Sequence, residues 1–482
     1  MESKRIIAIV LIVVIGIGVG VGAWIFLAPG GGTYAWSASD APGAPLTTNA
    51  SRIIKLGMAG DTGELQGDAN WDGAYMAAEE INTAGGVDIG GETYYFGVTR
   101  EDTDEVNPQL VTSRGVTAAR KLIFNKEVDF GIGGFRSEAV LAYVEQFMDE
   151  EIIFIGTGAS TDIFCTNVID DYATYKYFFR HMPTNSTTLA MQIIETIVGL
   201  IITQQFTYGV GFGGYGTHDI KQIGILAEDL TWTEGMIGAL QAYIPPSVSG
   251  ALLANYNITY AVEMLTPIKY DVTLDASDMN AHLASLQADG ADIVIPVISG
   301  QGGVLMMQQY AANMYDYLIF GIDVQAQADT FWAASGNSAA YETIMQSLHR
   351  TNRTSKSIAF WDAFIAKYGH EPIYIAVGAY DAVYALQLAI EATDSLLTAD
   401  LIPEMESWTR DNAARPIGAG SNAAWWPGSH DLVAGFPYGY TLWCQWQPDG
   451  TKKVVSGFGL YPEWLTTGTY TVAPWIHTAW TT

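Results

Sequence analysis

Apolar residues in this chain alternate between short runs typical of buried strands and longer stretches with helical spacing. A run from Ile53 to Met58 is followed by a glycine-bearing turn, and alanines and isoleucine recur at helical spacing from Ala74 to Ile81 before Gly85. This order predicts a strand, a turn and an amphipathic helix. Ligands of open α/β sheets bind beyond the carboxyl ends of strands, so the turn from Asp61 to Asp68 is a candidate cleft wall. The turn lacks a G-x-G-x-x-G pattern, which makes a nucleotide site a weak interpretation.

The alternation continues along the next hundred residues. Strands are predicted at 94–100, 129–133 and 152–156, and helices at 108–125 and 138–148. A strand-helix succession of this kind predicts a parallel sheet covered by helices.

The pattern restarts at Lys221, where KQIGILAEDLTWTEG repeats the opening order of apolar strand, acidic loop and helix. A second lobe is therefore predicted to begin there. Further strands are predicted at 291–298 and 317–321, helices at 303–314 and 375–392, and a hairpin at 440–455 that turns at Pro448-Asp449-Gly450. The glycine and aromatic segment 206–216 between the lobes is predicted to be a surface loop.

The amino terminus carries an unbroken apolar run from Ile6 to Ala28, preceded by Lys4 and Arg5. The run is longer than the roughly 7–15 apolar residues of a cleavable signal peptide, so a single transmembrane anchor is preferred over a removed leader. The positive charges predict a cytoplasmic stub at 1–5 and an extracytoplasmic body. Residues 29–51, rich in Gly, Pro, Ala, Ser and Thr, are predicted to be a flexible tether.

The composition describes a folded and acidic body. The 482 residues are 49% hydrophobic and 15% charged, with a net charge of -29 and only 22 Lys and Arg. The length exceeds what one core usually serves, which favours two domains. A nucleic-acid partner is not expected, because phosphate backbones are bound by clustered basic residues.

No motif for catalysis or metal binding is found in the sequence. The seven histidines show neither H-x-x-x-H nor H-E-x-x-H spacing, and neither a nucleophile elbow nor a P-loop occurs. We therefore expect no enzyme activity, no metal and no cofactor. Cys165 and Cys444 either form one disulfide or are two buried thiols.

Several ordered segments resemble the branched-chain amino acid type substrate-binding proteins of ABC transporters. They are IKLGMAGDTG, AAEEINTAGG, FGIGGFRSE, IIFIGTGAST, IGILAEDLTWTEG and QWQPDGTKKVV, and the similarity covers Ile53 to Tyr461. The resemblance implies the type I periplasmic-binding fold, an α/β fold of two doubly wound parallel-sheet lobes joined by hinge strands. The implied lobes are 52–181 with about 357–435, and 182–356 with about 436–470, followed by a tail at 471–482.

The resemblance also implies where the ligand binds. Ser137 and Ser160 match hydroxyls that receive the ligand's carboxylate, with backbone groups of Gly158 and Ala159 beside them. The alternative is that both serines only cap the helices that follow. Arg136 either strengthens anion binding or is a solvated charge.

The second lobe is expected to supply the other contacts. Trp232 matches an aromatic lid, with a core tryptophan as the alternative, and either Asp323 or Glu342 is expected to receive an ammonium group. Gln301 and Gln66 fall on cleft-facing loops, where solvated side chains are the alternative. Gln66 stands where many family members carry an aromatic residue, and the family's first-lobe disulfide has no cysteines here.

These features predict a membrane-tethered, extracytoplasmic solute receptor. It would capture a small carboxylate-bearing ligand, an amino acid or a related compound, and deliver it to an ABC permease. One alternative is a sensory receptor ectodomain, although only Met1 to Arg5 are expected inside the cell. Another is a structural or adhesive surface protein with a vestigial cleft, which the Trp-rich region from Trp425 to Trp480 keeps open.

Overall fold

The computed structural model describes residues 34–209 and 218–482. The predicted stub, the span at 6–28 and the first tether residues lie outside this part of the chain. So do residues 210–217, which form most of the predicted surface loop, whereas 206–208 belong to the end of a helix.

Two sheets organise the described chain, and the first is built from early strands. It has six strands, in the order β2-β3-β1-β4-β5-β6, and every neighbouring pair except β2 and β3 is parallel. They are β1 (Ile53–Gly60), β2 (Val87–Ile89), β3 (Glu92–Asp102), β4 (Phe130–Gly133), β5 (Phe154–Gly156) and β6 (Phe178–Arg180). Their apolar residues are buried on both faces, which explains the continuous apolar runs.

The second sheet has eight strands. They are β7 (Gln222–Glu228), β8 (Glu263–Met264), β9 (Ile268–Tyr270), β10 (Ile293–Ile298), β11 (Leu318–Asp323), β12 (Thr343–Gln346), β13 (Leu442–Trp446) and β14 (Lys452–Val454). The order is β14-β13-β12-β11-β10-β7-β8, and β9 also pairs with β7. Only the β14–β13 and β13–β12 pairs are antiparallel. The hairpin predicted from the Pro-Asp-Gly turn is therefore confirmed as β13 and β14.

Helices cover both sheets. They are α1 (Leu65–Thr83), α2 (Ser113–Arg120), α3 (Ser137–Asp149), α4 (Ile163–Asp170), α5 (Tyr172–Tyr175), α6 (Ser186–Tyr208), α7 (Thr231–Tyr256), α8 (Ala276–Ala288), α9 (Gly303–Asn313), α10 (Phe331–Ala334), α11 (Ser357–Tyr368), α12 (Tyr374–Thr393), α13 (Thr398–Ser407) and α14 (Pro474–Thr481). Helices α6 and α12 are long and apolar enough to cross a membrane, but most of their apolar stretch is buried inside the protein. Core packing accounts for their composition.

The helix predicted at 108–125 begins later than expected. An α-helix starts at Ser113 and continues as a π-helical turn over Lys121–Asn125. The preceding residues form a loop in which Leu110 has a positive φ of 54° and the Asn107 side chain accepts a hydrogen bond from Val111 N. This loop belongs to the edge of the cleft described below.

Three segments, 181–185, 347–356 and 434–441, carry the chain between the lobes. None of these three described segments forms a strand of either sheet, so the expected hinge strands are irregular backbone instead. Buried Arg353 ties two of them together, because its Nη2 donates to the carbonyl oxygen of Tyr440 at 2.5 Å.

The described part of the predicted tether is not free. Residues 34–51 lie on the first lobe, where Trp36 is buried and its Nε1 donates to the carbonyl oxygen of Lys126 at 2.6 Å. Asn82 holds the same segment through a hydrogen bond to the carbonyl oxygen of Pro42 at 2.7 Å. The small, polar residues of this segment predict a flexible linker. Because Trp36 is buried against the first lobe, residues 34–51 are instead packed on it.

The predicted tail is also part of the fold. Helix α14 packs on the second lobe, where Trp475 Nε1 donates to the carbonyl oxygen of Tyr315 at 2.9 Å and Trp480 is buried. Cys165 and Cys444 are buried free thiols in different lobes, so they do not form the disulfide considered from sequence. Burial raises the pKa of the Cys444 thiol to about 12.

Candidate functional site

A cavity lies between the two lobes, at the carboxyl ends of their parallel strands. About 560 Å³ of space free of protein atoms lies there, part of it open to solvent. The lining comes from both lobes and from the crossing segments, namely Phe135, Arg136, Ser137, Gly158, Ser160, Pro183, Leu189, Trp232, Ser299, Ile322, Val324, Gln327, Met345, Ser347, Tyr374 and Thr441. We call this space the cleft cavity.

Ser137 and Ser160 both line the cleft cavity, as predicted, and neither caps a helix. Ser137 is the first residue of α3, and its Oγ accepts a hydrogen bond from Thr161 N at 3.3 Å. The Oγ of Ser160 accepts from Ser186 Oγ at 3.3 Å. Within residues 34–209 and 218–482 neither hydroxyl donates a hydrogen bond to a protein acceptor, so each O–H is available to a ligand.

The carbonyl groups of the loop from Gly158 to Thr161 all accept hydrogen bonds from protein donors. The carbonyl oxygen of Gly158 accepts from Tyr374 OH at 3.0 Å, and that of Ser160 accepts from Ser186 N at 2.7 Å. Buried Arg180 takes the other two, since its guanidinium donates to the carbonyl oxygens of Ala159 and Thr161, both at 2.5 Å. Ala159 itself does not line the cavity.

Arg136 is a buried cation on the first-lobe wall. Its side chain is almost fully buried, Nη1 donates to the carbonyl oxygen of Asn107 at 3.2 Å, and Nη2 donates to Gln301 Oε1 at 3.0 Å. Its Nε has no hydrogen-bond partner. Within residues 34–209 and 218–482 no carboxylate pairs with it within 4.0 Å, so the guanidinium charge is not offset by an ion pair. The expectation of a solvated surface charge is therefore wrong.

Trp232 closes the cavity from the second lobe. It lies in the first turn of α7, is 6% exposed, and lines the cavity, where its indole Nε1 has no hydrogen-bond partner. A buried indole N–H without an acceptor is unusual in a protein core, which favours a site role over the core alternative.

Gln66 and Gln301 do not line the cleft cavity; both bridge the lobes. Gln66 Nε2 donates to the carbonyl oxygen of Ser299 at 3.4 Å, and Gln301 Nε2 donates to the carbonyl oxygen of Val106 at 3.3 Å. Together with the Arg136 to Gln301 bond, and with Thr231 N donating to Glu138 Oε1 at 2.6 Å, they hold the lobes together. We call these four lobe-to-lobe hydrogen bonds the latch.

In each lobe, a buried carboxylate holds the loop that carries latch residues. Glu105 Oε2 accepts from Phe135 N at 2.7 Å and from Arg136 N at 2.8 Å. In the second lobe, Glu228 Oε1 accepts from Gly300 N at 2.8 Å and Gln301 N at 3.0 Å. Burial raises the pKa of Glu105.

Asp323 and Glu342 do not line the cleft cavity. Ile322 and Val324 line the cavity, whereas the Asp323 carboxylate lies against Gly303 at the start of α9 and accepts from Gln325 N at 3.0 Å. Both carboxyls are fully buried and interact with each other; burial raises the pKa of each, and the charge of Asp323 raises that of Glu342 further. The expectation that one of them faces the ligand has no support in this geometry.

Sequence reasoning missed the apolar walls of the cavity and Tyr374. Leu189, Met345 and Tyr374 lie on elements that meet only through the long-range packing of the two lobes. The one sequence signal was the position of Tyr374, which is the first residue of the helix predicted from Ile375 onward.

Two α/β lobes with a closed cavity between them define a bilobed ligand-binding protein. The periplasmic binding protein family matches residues 54–245 and 250–430, and the chain belongs to this family. A comparison with curated protein sequences gives no match.

Solved structures with the same fold include transporter proteins with different ligands. The chain is similar to the branched-chain amino acid transporter substrate-binding protein LivJ from Streptococcus pneumoniae, in complex with isoleucine, at 17% identity and a TM-score of 0.61, covering 83% of this chain and 97% of that chain. For the leucine-binding protein LivK from Thermotoga maritima the values are 16%, 0.59, 83% and 97%. For a solute-binding protein from R. palustris in complex with benzoate they are 16%, 0.57, 86% and 95%.

Proposed function

We propose that this protein is the solute receptor of an ABC transporter and captures a small carboxylate-bearing ligand in the cleft cavity. The observation that carries the proposal is a set of buried, unpaired donors facing an enclosed cavity between two lobes. Arg136 Nε and Trp232 Nε1 have no partner, and the hydroxyls of Ser137 and Ser160 lie in the same lining. A carboxylate accepts such hydrogen bonds, and charge-assisted bonds are the stronger ones.

The neighbouring structures support the carboxylate part of this proposal. The ligands named for them are isoleucine, leucine and benzoate, which share a carboxylate and an apolar body. By analogy with these proteins, the present chain binds its ligand outside the cytoplasm and presents it to a permease. Anchoring through residues 6–28 is part of the proposal, with the amino terminus inside the cell.

The two alternatives have less support. Trp425, Trp443, Trp446 and Trp480 are buried, so most of the Trp-rich region is core, and among its described tryptophans only Trp426 and Trp464 are exposed. A sensory ectodomain would use the same cleft, and a transport assay separates it from a solute receptor. Solute uptake that depends on this protein supports the proposal, whereas a signalling response without uptake contradicts it.

Ligand binding is tested by thermal shift of the full-length chain against amino acids, small carboxylates and uncharged solutes. A ligand at a hundred times its Kd stabilises the folded state by about 2.7 kcal/mol. We expect Ser160→Ala and Trp232→Ala each to weaken binding about tenfold to a hundredfold, because each removes a donor to a charged group. Isothermal titration gives the affinities.

Matched controls lie on exposed surface. Ser285 is exposed on α8 and Trp464 is 60% exposed, so Ser285→Ala and Trp464→Ala should leave affinity unchanged. Equal losses in both sets would contradict the site assignment, and the absence of any stabilising solute would contradict the receptor proposal.

A further inference from the structure

The cleft cavity is lined by one charged side chain. Among its lining residues Arg136 is the only Lys, Arg, Asp, Glu or His, and the other polar members are hydroxyl, amide or indole groups. The body of the cavity is apolar, with walls formed by Phe135, Pro183, Leu189, Trp232, Ile322, Val324 and Met345. The lining therefore combines one positive charge with an apolar surface.

Within the described residues the Arg136 guanidinium forms no ion pair within 4.0 Å, although the carboxylates of Glu105 and Glu228 lie nearby. Its guanidinium bonds are to a backbone carbonyl and to the Gln301 amide oxygen, both neutral acceptors. The nearby carboxylates of Glu105 and Glu228 are held by protein donors, which include Tyr143 OH at 3.0 Å and Ser299 Oγ at 2.5 Å. A buried charge without a partner is costly, and a bound anion would reduce that cost.

No acid is among the residues that line the cavity, so an ammonium group there would meet only neutral acceptors. Carbonyl oxygens at Gly158, Ala159, Ser160 and Thr161 already accept hydrogen bonds from Tyr374, Arg180 and Ser186. The buried acids Asp323 and Glu342 are not among the lining residues, although Ile322 and Val324 on either side of Asp323 are. An ammonium placed in the cavity would lose its hydration without gaining a counter-charge.

We infer that the ligand is an apolar carboxylate without an ammonium group, a net monoanion rather than a zwitterionic amino acid. The inference rests on the proposed function and narrows its ligand class. The carboxylate binds Arg136 Nε, Trp232 Nε1 and the two serine hydroxyls, and an aliphatic or aromatic body fills the apolar part of the cavity.

Two pairs of probes differ only in the ammonium group. They are 4-methylpentanoate with leucine, and 3-phenylpropanoate with phenylalanine. Isothermal titration of the full-length chain at constant pH and salt should give at least tenfold tighter binding of the deaminated member in one pair or both, and in neither pair tighter binding of the amino acid. Equal affinities, tighter binding of the amino acid in either pair, or no binding of all four probes would each overturn the inference.

A charge added to the cavity lining tests the cause of the preference. Ser347 lines the cavity directly after β12, at the start of a crossing segment. Ser347→Asp supplies the missing carboxylate and should reduce the preference for the deaminated member at least tenfold, while Ser347→Asn, of equal size and without charge, should keep the preference in the same direction. An equal effect of both variants would contradict the electrostatic explanation. Thermal unfolding of both variants confirms that they fold.

Failure of this inference can be distinguished from failure of the proposed function. If leucine, phenylalanine or an uncharged solute binds in the wider screen and neither deaminated probe does, the receptor proposal stands and the monoanion inference is wrong. If no solute in the wider screen binds, both are wrong.

Discussion

At the residue scale, the binding role proposed for Arg136 comes at the expense of stability. A buried guanidinium without a carboxylate partner carries a penalty of several kcal/mol, which an ion pair or a solvent-facing position would avoid. Its position between Asn107 and Gln301 keeps the charge at the cavity wall. In this proposal a bound carboxylate offsets part of the free energy that burial of the Arg136 charge costs. That part then contributes to the affinity of the site.

The Asp323 and Glu342 pair predicts a pH-dependent stability. Both pKa values are raised by burial, so the folded state keeps a proton that the unfolded chain releases as the pH rises above about 4.5. Stability contributed by the pair therefore falls as pH rises. Glu342→Gln removes one titrating group and should gain about 1–3 kcal/mol relative to wild type between pH 5 and pH 8, measured by urea unfolding.

The surroundings of the pair define the control. Glu228 adds to the negative field at Asp323, and Lys452 opposes it at Glu342. Glu150→Gln, at an exposed position, should show the same pH dependence as wild type. Parallel stability curves for Glu342→Gln and wild type would contradict the shared-proton interpretation.

At the residue scale, sequence motifs placed Ser137, Ser160 and Trp232 at strand-to-helix turns, and the structure brings all three into one cavity. Their contact with a ligand stays a prediction. Asp323, at the end of β11, is not among the lining residues, and composition does not encode which way a side chain at a strand end points. Gln66 and Gln301 were predicted from sequence to lie on cleft-facing loops. Their side chains form hydrogen bonds to the opposite lobe and do not line the cavity.

At the scale of elements, the two lobes hold their cleft loops in the same way. In each lobe a buried glutamate accepts several backbone N–H groups from one loop, with Glu105 in the first and Glu228 in the second. These loops carry the two sides of the latch. Apolar periodicity predicted the strands and helices, but it could not predict the loop at 103–112, whose shape depends on Glu105 reaching α3 across space.

The latch predicts a conformational shift on removal of Gln301. Gln301→Ala deletes the bonds to Arg136 and Val106, and two hydrogen bonds contribute about 1–3 kcal/mol. We expect the ligand-free protein to shift toward an open form, seen as a larger radius of gyration by small-angle X-ray scattering. Saturating ligand should restore the smaller value.

An exposed glutamine serves as the control for the latch. Gln241→Ala, on the surface of α7, should leave the radius of gyration unchanged. If Gln301→Ala and wild type scatter identically without ligand, the latch does not stabilise the closed form.

At the scale of the whole molecule, residues 34–51 stabilise the first lobe. Trp36→Ala should lower the free energy of unfolding by about 3–5 kcal/mol, because a large buried side chain is removed. Trp36→Phe keeps much of the ring and loses the bond to the Lys126 carbonyl, so a loss of about 1–2 kcal/mol is expected. Thermal and urea unfolding measure both, and unchanged stability in Trp36→Ala would mean that the segment does not support the fold.

The global arrangement was predictable because the same strand-helix order occurs twice in the sequence. Two sheets and their helices follow from it, and the terminal hairpin follows from its turn. The crossing segments and the packing of α14 were not predictable, since they depend on long-range partners such as Arg353 with Tyr440 and Trp475 with Tyr315.

The latch also governs the kinetics of solute capture. A closed form held by bonds between protein atoms excludes ligand, so only the open fraction of molecules can be occupied on encounter. The apparent dissociation constant rises by the inverse of that fraction, and at high solute concentration the filling rate approaches the rate of lobe opening rather than that of diffusion. The strength of the latch therefore contributes both to how scarce a solute the protein can collect and to how quickly each molecule is reloaded after release.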